Sequence, residues 1–239
     1  MSTELVGKYY LAAIDKPDPS MSELQFSEIR VKLETMAVIA GINTWELSII
    51  ELLADNKILA KLIYDEEVFE GTYKVEGNTV TAVDNQGDEI ASLLIEGDSL
   101  VIEDEAARLI YSTTQPPAED EIIIDNSYKG KYYMVSIEKT ADEIDEEGFE
   151  QLRDMMIGIM SEHIGIDEDN VNTFEFFDGN KIKARFAGNE EVEGKYVLKG
   201  DYIYAFEDDE YPIAKLGIEG SVLTMLTIYG KMTFSTEPL

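Results

Sequence analysis

The chain repeats itself at a fixed interval. Glu70-Gly71-Thr72-Tyr73-Lys74-Val75-Glu76-Gly77 returns 123 positions later as Glu193-Gly194-Lys195-Tyr196-Val197-Leu198-Lys199-Gly200. Gly7-Lys8-Tyr9-Tyr10 returns as Gly130-Lys131-Tyr132-Tyr133, and Ile95-Glu96-Gly97 as Ile218-Glu219-Gly220, with the same offset. Such a chain must build one unit twice, and 239 residues give each copy the length to bury a core of its own. Gln115-Pro116-Pro117-Ala118 and the acidic residues after it read as the joint. The organisation is therefore a first repeat at 1–117, a linker at 118–127 and a second repeat at 128–239. Ile122-Ile123-Ile124 is too apolar for free solvent and is expected to pack at the junction, fixing the two repeats as a pair.

Within a repeat the periodicity changes twice. The Gly-Lys-Tyr-Tyr segment is a strand, and Lys16-Pro17-Asp18-Pro19 cannot continue it. Ser20-Met21-Ser22-Glu23 has the spacing of a capping box, after which Phe26, Ile29, Leu33, Met36, Ala37 and Ala40 recur at three and four, one apolar face ending at Gly41. The second copy offers Thr140-Ala141-Asp142-Glu143 and a stripe of Phe149, Leu152, Met156, Ile159, Met160 and His163, ending at Gly165. Beyond each helix the period falls to two. Trp45, Leu47 and Ile49 alternate with polar residues, as Phe174 and Phe176 do around Glu175. Ile58, Ala60 and Leu62 follow, matched by Ile182, Ala184 and Phe186. The repeated Gly-x-Tyr stretch is the next strand, with Tyr73 and Tyr196 inward. Further strands are read at 79–83, 89–95, 100–103 and 107–113.

Strand, helix and seven more strands joined by short turns close most simply into an up-and-down barrel, which leaves no sheet edge. The fold class is thus mainly β, two tandem antiparallel barrels of about eight strands, each with a helix between its first and second strands. At this point the chain resembles the calycin group, meaning lipocalins, fatty-acid-binding proteins and small bacterial lipocalin-like domains. Gly7-Lys8-Tyr9 and Gly130-Lys131-Tyr132 are similar to the Gly-x-Trp of the first lipocalin strand, with tyrosine for tryptophan. The strands at Gly71 and Gly194 look like the Gly-Thr-Tyr strands of bacterial lipocalin-like domains. The helix departs from true lipocalins and is placed as in fatty-acid-binding proteins. The resemblance implies a small apolar ligand inside the barrel.

Composition removes whole classes of function. There is no cysteine, hence no disulfide, thiol catalysis or cysteine-bound metal. A formal charge of −31, spread over both repeats, repels phosphate backbones and anionic bilayers. It serves solubility or recruits a basic protein partner. Neither a membrane-spanning apolar run nor a basic, apolar leader is present, so the sequence as given reads as cytoplasmic, with export still open to a trimmed chain.

The residues that could carry chemistry are few. By parity Lys57, Lys61, Lys74, Lys181, Lys183, Arg185, Lys195 and Lys199 point outward. The carboxylate-binding Arg-x-Tyr pattern of fatty-acid-binding proteins becomes Arg108-Leu109-Ile110-Tyr111, one residue too long. That sends Arg108 out and leaves Leu109, Tyr111, Met232 and Phe234 in, so a bound molecule should be neutral. Glu51 shares the inward parity of Trp45, Leu47 and Ile49, and a bulge or rim position would turn it to solvent. His163 is the sole histidine, which forbids a metal triad. Asp167-Glu168-Asp169-Asn170 lacks the third oxygen ligand and the glycine of a calcium loop. No cofactor is implied, and no acid–base pair supports an enzyme. Two functions remain. One is binding of a small neutral apolar molecule by Tyr9, Trp45, Leu47, Tyr73, Tyr111, Tyr132, Met156, Phe174, Phe176 and Tyr196. The other is an acidic interaction or scaffold module whose barrels are filled by those same side chains.

Overall fold

A computed structural model of the chain describes residues 5–63, 67–103, 106–139, 147–150, 153, 172–186, 191–207, 211–227 and 230–237. The chain divides into two compact units, Met1–Glu119 and Asp120–Leu239. In the first, β1 (Gly7–Asp15), β2 (Ile49–Leu52), β3 (Lys57–Lys61), β4 (Phe69–Glu76), β5 (Thr79–Asp84), β6 (Glu89–Glu96), β7 (Ser99–Glu103) and β8 (Arg108–Ser112) pair each with the next. β8 returns to β1, pairing Tyr10 with Ser112 and Leu11 with Tyr111, and closes the barrel. The helix α1 (Glu23–Ala40) lies between β1 and β2, as the sequence leads one to expect. Its capping box is Ser22 with Gln25 rather than Ser20 with Glu23, two residues later than read from the sequence. Gly41 ends it in the left-handed region at φ 68, where its N–H and that of Ile42 bond to Val38 and Ala37. Leu33 and Ala37 are buried against Leu47, whereas Ala40, counted in the apolar stripe, is exposed.

The second unit repeats the meander with β10 (Gly130–Glu138), β11 (Thr173–Phe177), β12 (Lys181–Arg185), β13 (Val192–Lys199), β14 (Tyr202–Phe206), β15 (Pro212–Glu219), β16 (Val222–Thr227) and β17 (Gly230–Ser235). β10 pairs with both β11 and β17, and β12 pairs with β13, so eight strands again close a barrel. Residues 147–150 are helical, and the rest of the second stripe, with Met156 and His163, lies outside the described residues together with the 167–170 acidic run. Ile122 and Ile123 form β9, which pairs with β13 of the same unit. The run expected at a domain junction is thus a ninth, two-residue strand, and Ile123 and Ile124 are 50% and 64% exposed. Among the described residues no helix is long and apolar enough to cross a membrane.

Irregularities recur with the repeat. β1 and β10 each bulge in mid-strand, between Leu11 and Ala13 and between Met134 and Ser136. β5 and β14 each slip where they meet the next strand, at Ala82/Val83 and Ala205/Phe206. That slip explains the glycine of the Gly-x-Tyr motif. A Cβ on Gly71 would stand 2.1 Å from the carbonyl oxygen of Val83, and one on Gly194 2.2 Å from that of Phe206. Bulge and glycine are one device, because the carbonyl turned inward by the slip occupies the place of a side chain.

One element departs from its sequence reading. Residues Thr44–Leu47 form a 3-10 turn, and the strand begins only at Ile49. Asn43 and Glu46 cause this: the Glu46 carboxylate accepts the Asn43 backbone N–H at 2.8 Å and its amide N–H at 2.6 Å, which fixes the turn. Glu119 reinforces it, accepting from the Thr44 N–H at 2.8 Å. The inward set on β2 is consequently Ile50 and Leu52, not Trp45, Leu47 and Ile49. Glu51 faces out by simple alternation, with no bulge needed. Hydrogen bonds from Asn43 hold the Glu46 carboxyl below its ordinary 4.5. A carboxylate with a depressed pKa contributes stability above its unfolded value, and this is lost as pH falls through the folded one. Glu46→Gln should therefore flatten the loss of first-unit stability below pH 4.5. The difference, roughly 0.5 kcal/mol for a solvated pair, can be read from urea midpoints followed by Trp45 emission.

Candidate functional site

The interior of the first barrel contains Tyr9, Leu11, Ile50, Leu52, Tyr73 and Tyr111. That of the second contains Tyr132, Met134, Phe174, Phe176, Tyr196 and Phe234. Pairing fixes the correspondence: Tyr9 faces Ile50 across β1 and β2, while Tyr132 faces Phe174 across β10 and β11. Phe174 and Phe176 therefore occupy the places of Ile50 and Leu52, not those of Trp45 and Leu47 as the sequence alternation suggests. Two further exchanges enlarge the second set, Met134 for Leu11 and Met232 for Leu109. Its aromatic rings interlock edge to face, with Phe174 and Phe234 centroids 4.9 Å apart and Phe176 and Tyr196 centroids also 4.9 Å apart.

The core tyrosines are committed to the fold. Tyr9 donates to the Leu5 carbonyl at 3.1 Å, Tyr73 to Leu53 at 3.4 Å and Tyr196 to Asp125 at 2.9 Å. These bonds close the barrel end away from the helix connection. Burial raises the pKa of Tyr9, Tyr132 and Tyr196, so each remains a neutral phenol. Tyr111 is fully buried, with its hydroxyl 2.8 Å from Ser48 Oγ. Ser48 donates its own proton to the Lys61 carbonyl at 2.9 Å, so Tyr111 donates to Ser48. At the matching place in the second unit, Phe234 lacks the hydroxyl. The residue corresponding to Ser48 is Asn172, whose side-chain amide points at the sulfurs of Met134 and Met232 at 3.5 and 3.6 Å.

Trp45 and Leu47 are not in the barrel. Leu47 is buried under α1, and Trp45 lies edge-on to Tyr10 at 5.5 Å with its buried indole N–H unpartnered. Met156 is outside the described residues.

A cavity of about 180 Å³ opens at the helix end of the first barrel. Ile29 and Leu33 of α1 form one wall. Leu62 and Ile63 after β3, Ile102 of β7 and Ala107, Leu109 and Tyr111 at β8 form the other. Of the residues that the sequence offers as ligand-binding, Tyr111 alone lines this cavity. The others could have been found by combining the α1 stripe with the inward parity of β3, β7 and β8, since their helix-side ends must meet under the helix.

Among the described residues no charged side chain borders this cavity. Arg108 stays outside, paired with Glu96, with Glu103 at 3.2 Å and with Asp15 at 3.9 Å. Lys231 repeats the arrangement with Glu219 at 2.6 Å. Of the lysines assigned outward, Lys57, Lys74, Lys181 and Lys195 are exposed, while Lys199 is only 9% exposed where β9 runs beside it. Among the described residues no three acidic or histidine side chains converge as metal ligands.

No protein-family model matches the chain, and no curated protein matches it. Among solved structures the chain is similar to a crystal structure of a catalytically inactive virginiamycin B lyase from Staphylococcus aureus with quinupristin, at 11% identity over 79% of this chain and 73% of that one. Its TM-score of 0.11 is too low for that likeness to bear on fold or function.

Proposed function

We propose that the first barrel binds a small, neutral, apolar molecule between α1 and the barrel mouth. The observation that carries this reading is the cavity of about 180 Å³, whose described lining is aliphatic side chains and one phenol with no charge among them. A carboxylate placed there would meet no cation, which costs several kcal/mol. Its volume falls short of the roughly 300 Å³ of sites for drug-sized ligands, but apolar cavities of about 150 Å³ take up benzene. The ligand is therefore of one-ring size rather than a long acyl chain. A closed eight-stranded meander with a helix after its first strand resembles the calycin plan, whose barrels hold such molecules.

Calorimetric titration of the full chain with benzene, indole and octanol tests the reading. Saturable binding of at least one probe is expected, and Ala107→Leu, which extends a side chain into the cavity, should abolish it without altering the far-ultraviolet spectrum. No binding by any probe, or binding indifferent to Ala107→Leu, sinks the reading.

A further inference from the structure

The second barrel carries sulfur where the first carries hydrocarbon. Ile102 and Leu109, which face each other across β7 and β8 and line the first cavity, give way to Met225 and Met232, which face each other across β16 and β17. Leu11, opposite Tyr111, becomes Met134, opposite Phe234. Ser48, whose carbonyl accepts from the Leu11 N–H, becomes Asn172, whose carbonyl accepts from that of Met134. All three methionines belong to the core, none more than 8% exposed. Among the described residues of the second unit they are the only methionines.

Directly opposed residues of an antiparallel ladder have β-carbons about 5 Å apart, so Met225 and Met232 reach the same space. Asn172 shows where the lone pairs point. Its Nδ2 lies 3.5 Å from the Met134 sulfur and 3.6 Å from the Met232 sulfur, so both thioethers direct electron pairs at one electropositive group in the interior. Packing alone does not call for this. Leucine and isoleucine fill the same positions of the first repeat, and methionine in their place adds flexibility whose ordering costs more entropy. What a thioether supplies and an aliphatic chain does not is a soft, uncharged electron-pair donor.

We propose that Met134, Met225 and Met232 form a site for a soft monovalent cation, copper(I) or its analogue silver(I), with Asn172 beside it. A half turn of the Asn172 amide about its last side-chain bond presents Oδ1 in place of Nδ2, so the group that donates to the sulfurs can also face an ion among them. The ligand type selects the ion. Thioethers suit copper(I), whereas zinc(II) and calcium(II) ask for imidazole, thiolate or carboxylate, and among the described residues no three acidic or histidine side chains converge. A single charge is also less costly to bury among uncharged ligands than a double one. The net charge of −31 draws cations to the chain. The site is in the other unit from the apolar cavity, so neither reading depends on the other.

The test uses the full chain with carbon-13 in its methionine methyl groups, titrated with silver nitrate in chloride-free buffer and, under reduction, with copper(I) held by bicinchoninate. The methyl signals of Met134, Met225 and Met232 are expected to shift with both ions and to saturate at the first equivalent, and zinc(II) should leave them in place. Met134→Leu combined with Met232→Leu restores the first repeat's residues at nearly constant volume, so the barrel should stay folded and bind silver(I) at least tenfold more weakly. Met225→Leu alone makes the same comparison if that pair unfolds the barrel, and Met36→Leu, in the first unit, should change nothing. The proposal is overturned if no methyl shift saturates, if the saturating shifts are confined to other methionines, or if zinc(II) moves the same three. It is equally overturned if a folded leucine variant loses less than tenfold in silver(I) affinity, because the sulfurs would then be core packing and nothing more.

Discussion

Gly71→Ala should destabilise the first barrel by about 3 kcal/mol, a drop in urea midpoint visible in the emission of Trp45, the chain's only tryptophan. The sign makes this informative. At a strand position without a positive φ, alanine for glycine ordinarily gains about 0.4–1 kcal/mol by restricting the unfolded chain. Here the added methyl would fall 2.1 Å from the Val83 carbonyl oxygen, and backbone atoms of a closed barrel cannot step aside as a flexible side chain can. Gly194→Ala should weaken the second barrel for the same reason, with Phe206 as the obstruction. A neutral or stabilising Gly71→Ala would mean that the slip between β5 and β6 is not held in solution.

Phe174→Ala carries the largest expected loss in the second barrel, about 4 kcal/mol. Its ring is fully buried and stacks edge to face on Phe186 and Phe234, so removal costs both transfer free energy and an unfilled space. Hydrogen exchange of the β10 and β11 amides measures it without relying on the tryptophan, which lies in the first unit. Ile50→Val, at the equivalent position of the first barrel, should cost only about 1 kcal/mol. Equal losses at the two sites would show that the aromatic interior adds nothing beyond its volume.

Parity was sufficient wherever a strand is regular from end to end. On β8 it placed Arg108 outside and Leu109 and Tyr111 inside, and on β17 it did the same for Lys231, Met232 and Phe234. It failed at 45–49, where Trp-Glu-Leu-Ser-Ile alternates like a strand but Asn43 and Glu46 wind the first part into a turn. Once that turn is recognised, the second β-strand of each repeat aligns with an offset one larger than 123, and Phe174 moves opposite Ile50. The cavity was less legible still. Its walls come from elements far apart in the chain, and whether they touch or leave space depends on how α1 seats on the barrel, which no local pattern encodes. The completion of β13 by β9 was hidden for a related reason: a two-residue strand in a linker has no periodicity to detect, and only its burial of Leu198 reveals it.

The matching registers of β1 with β8 and of β10 with β17 have a kinetic consequence. Closure of each barrel joins the ends of its repeat, Tyr10 to Ser112 in one and Tyr133 to Ser235 in the other, and such distant pairings form late. While both barrels are still open, β1 presents β17 with nearly the same side chains and the same bulge as β10 does. A nascent first repeat that closes before the second is synthesised never meets this choice, whereas a chain diluted from denaturant meets it at once. Refolding in vitro should therefore pass through a mispaired population that vectorial synthesis avoids, and the two routes to one native fold should differ in rate.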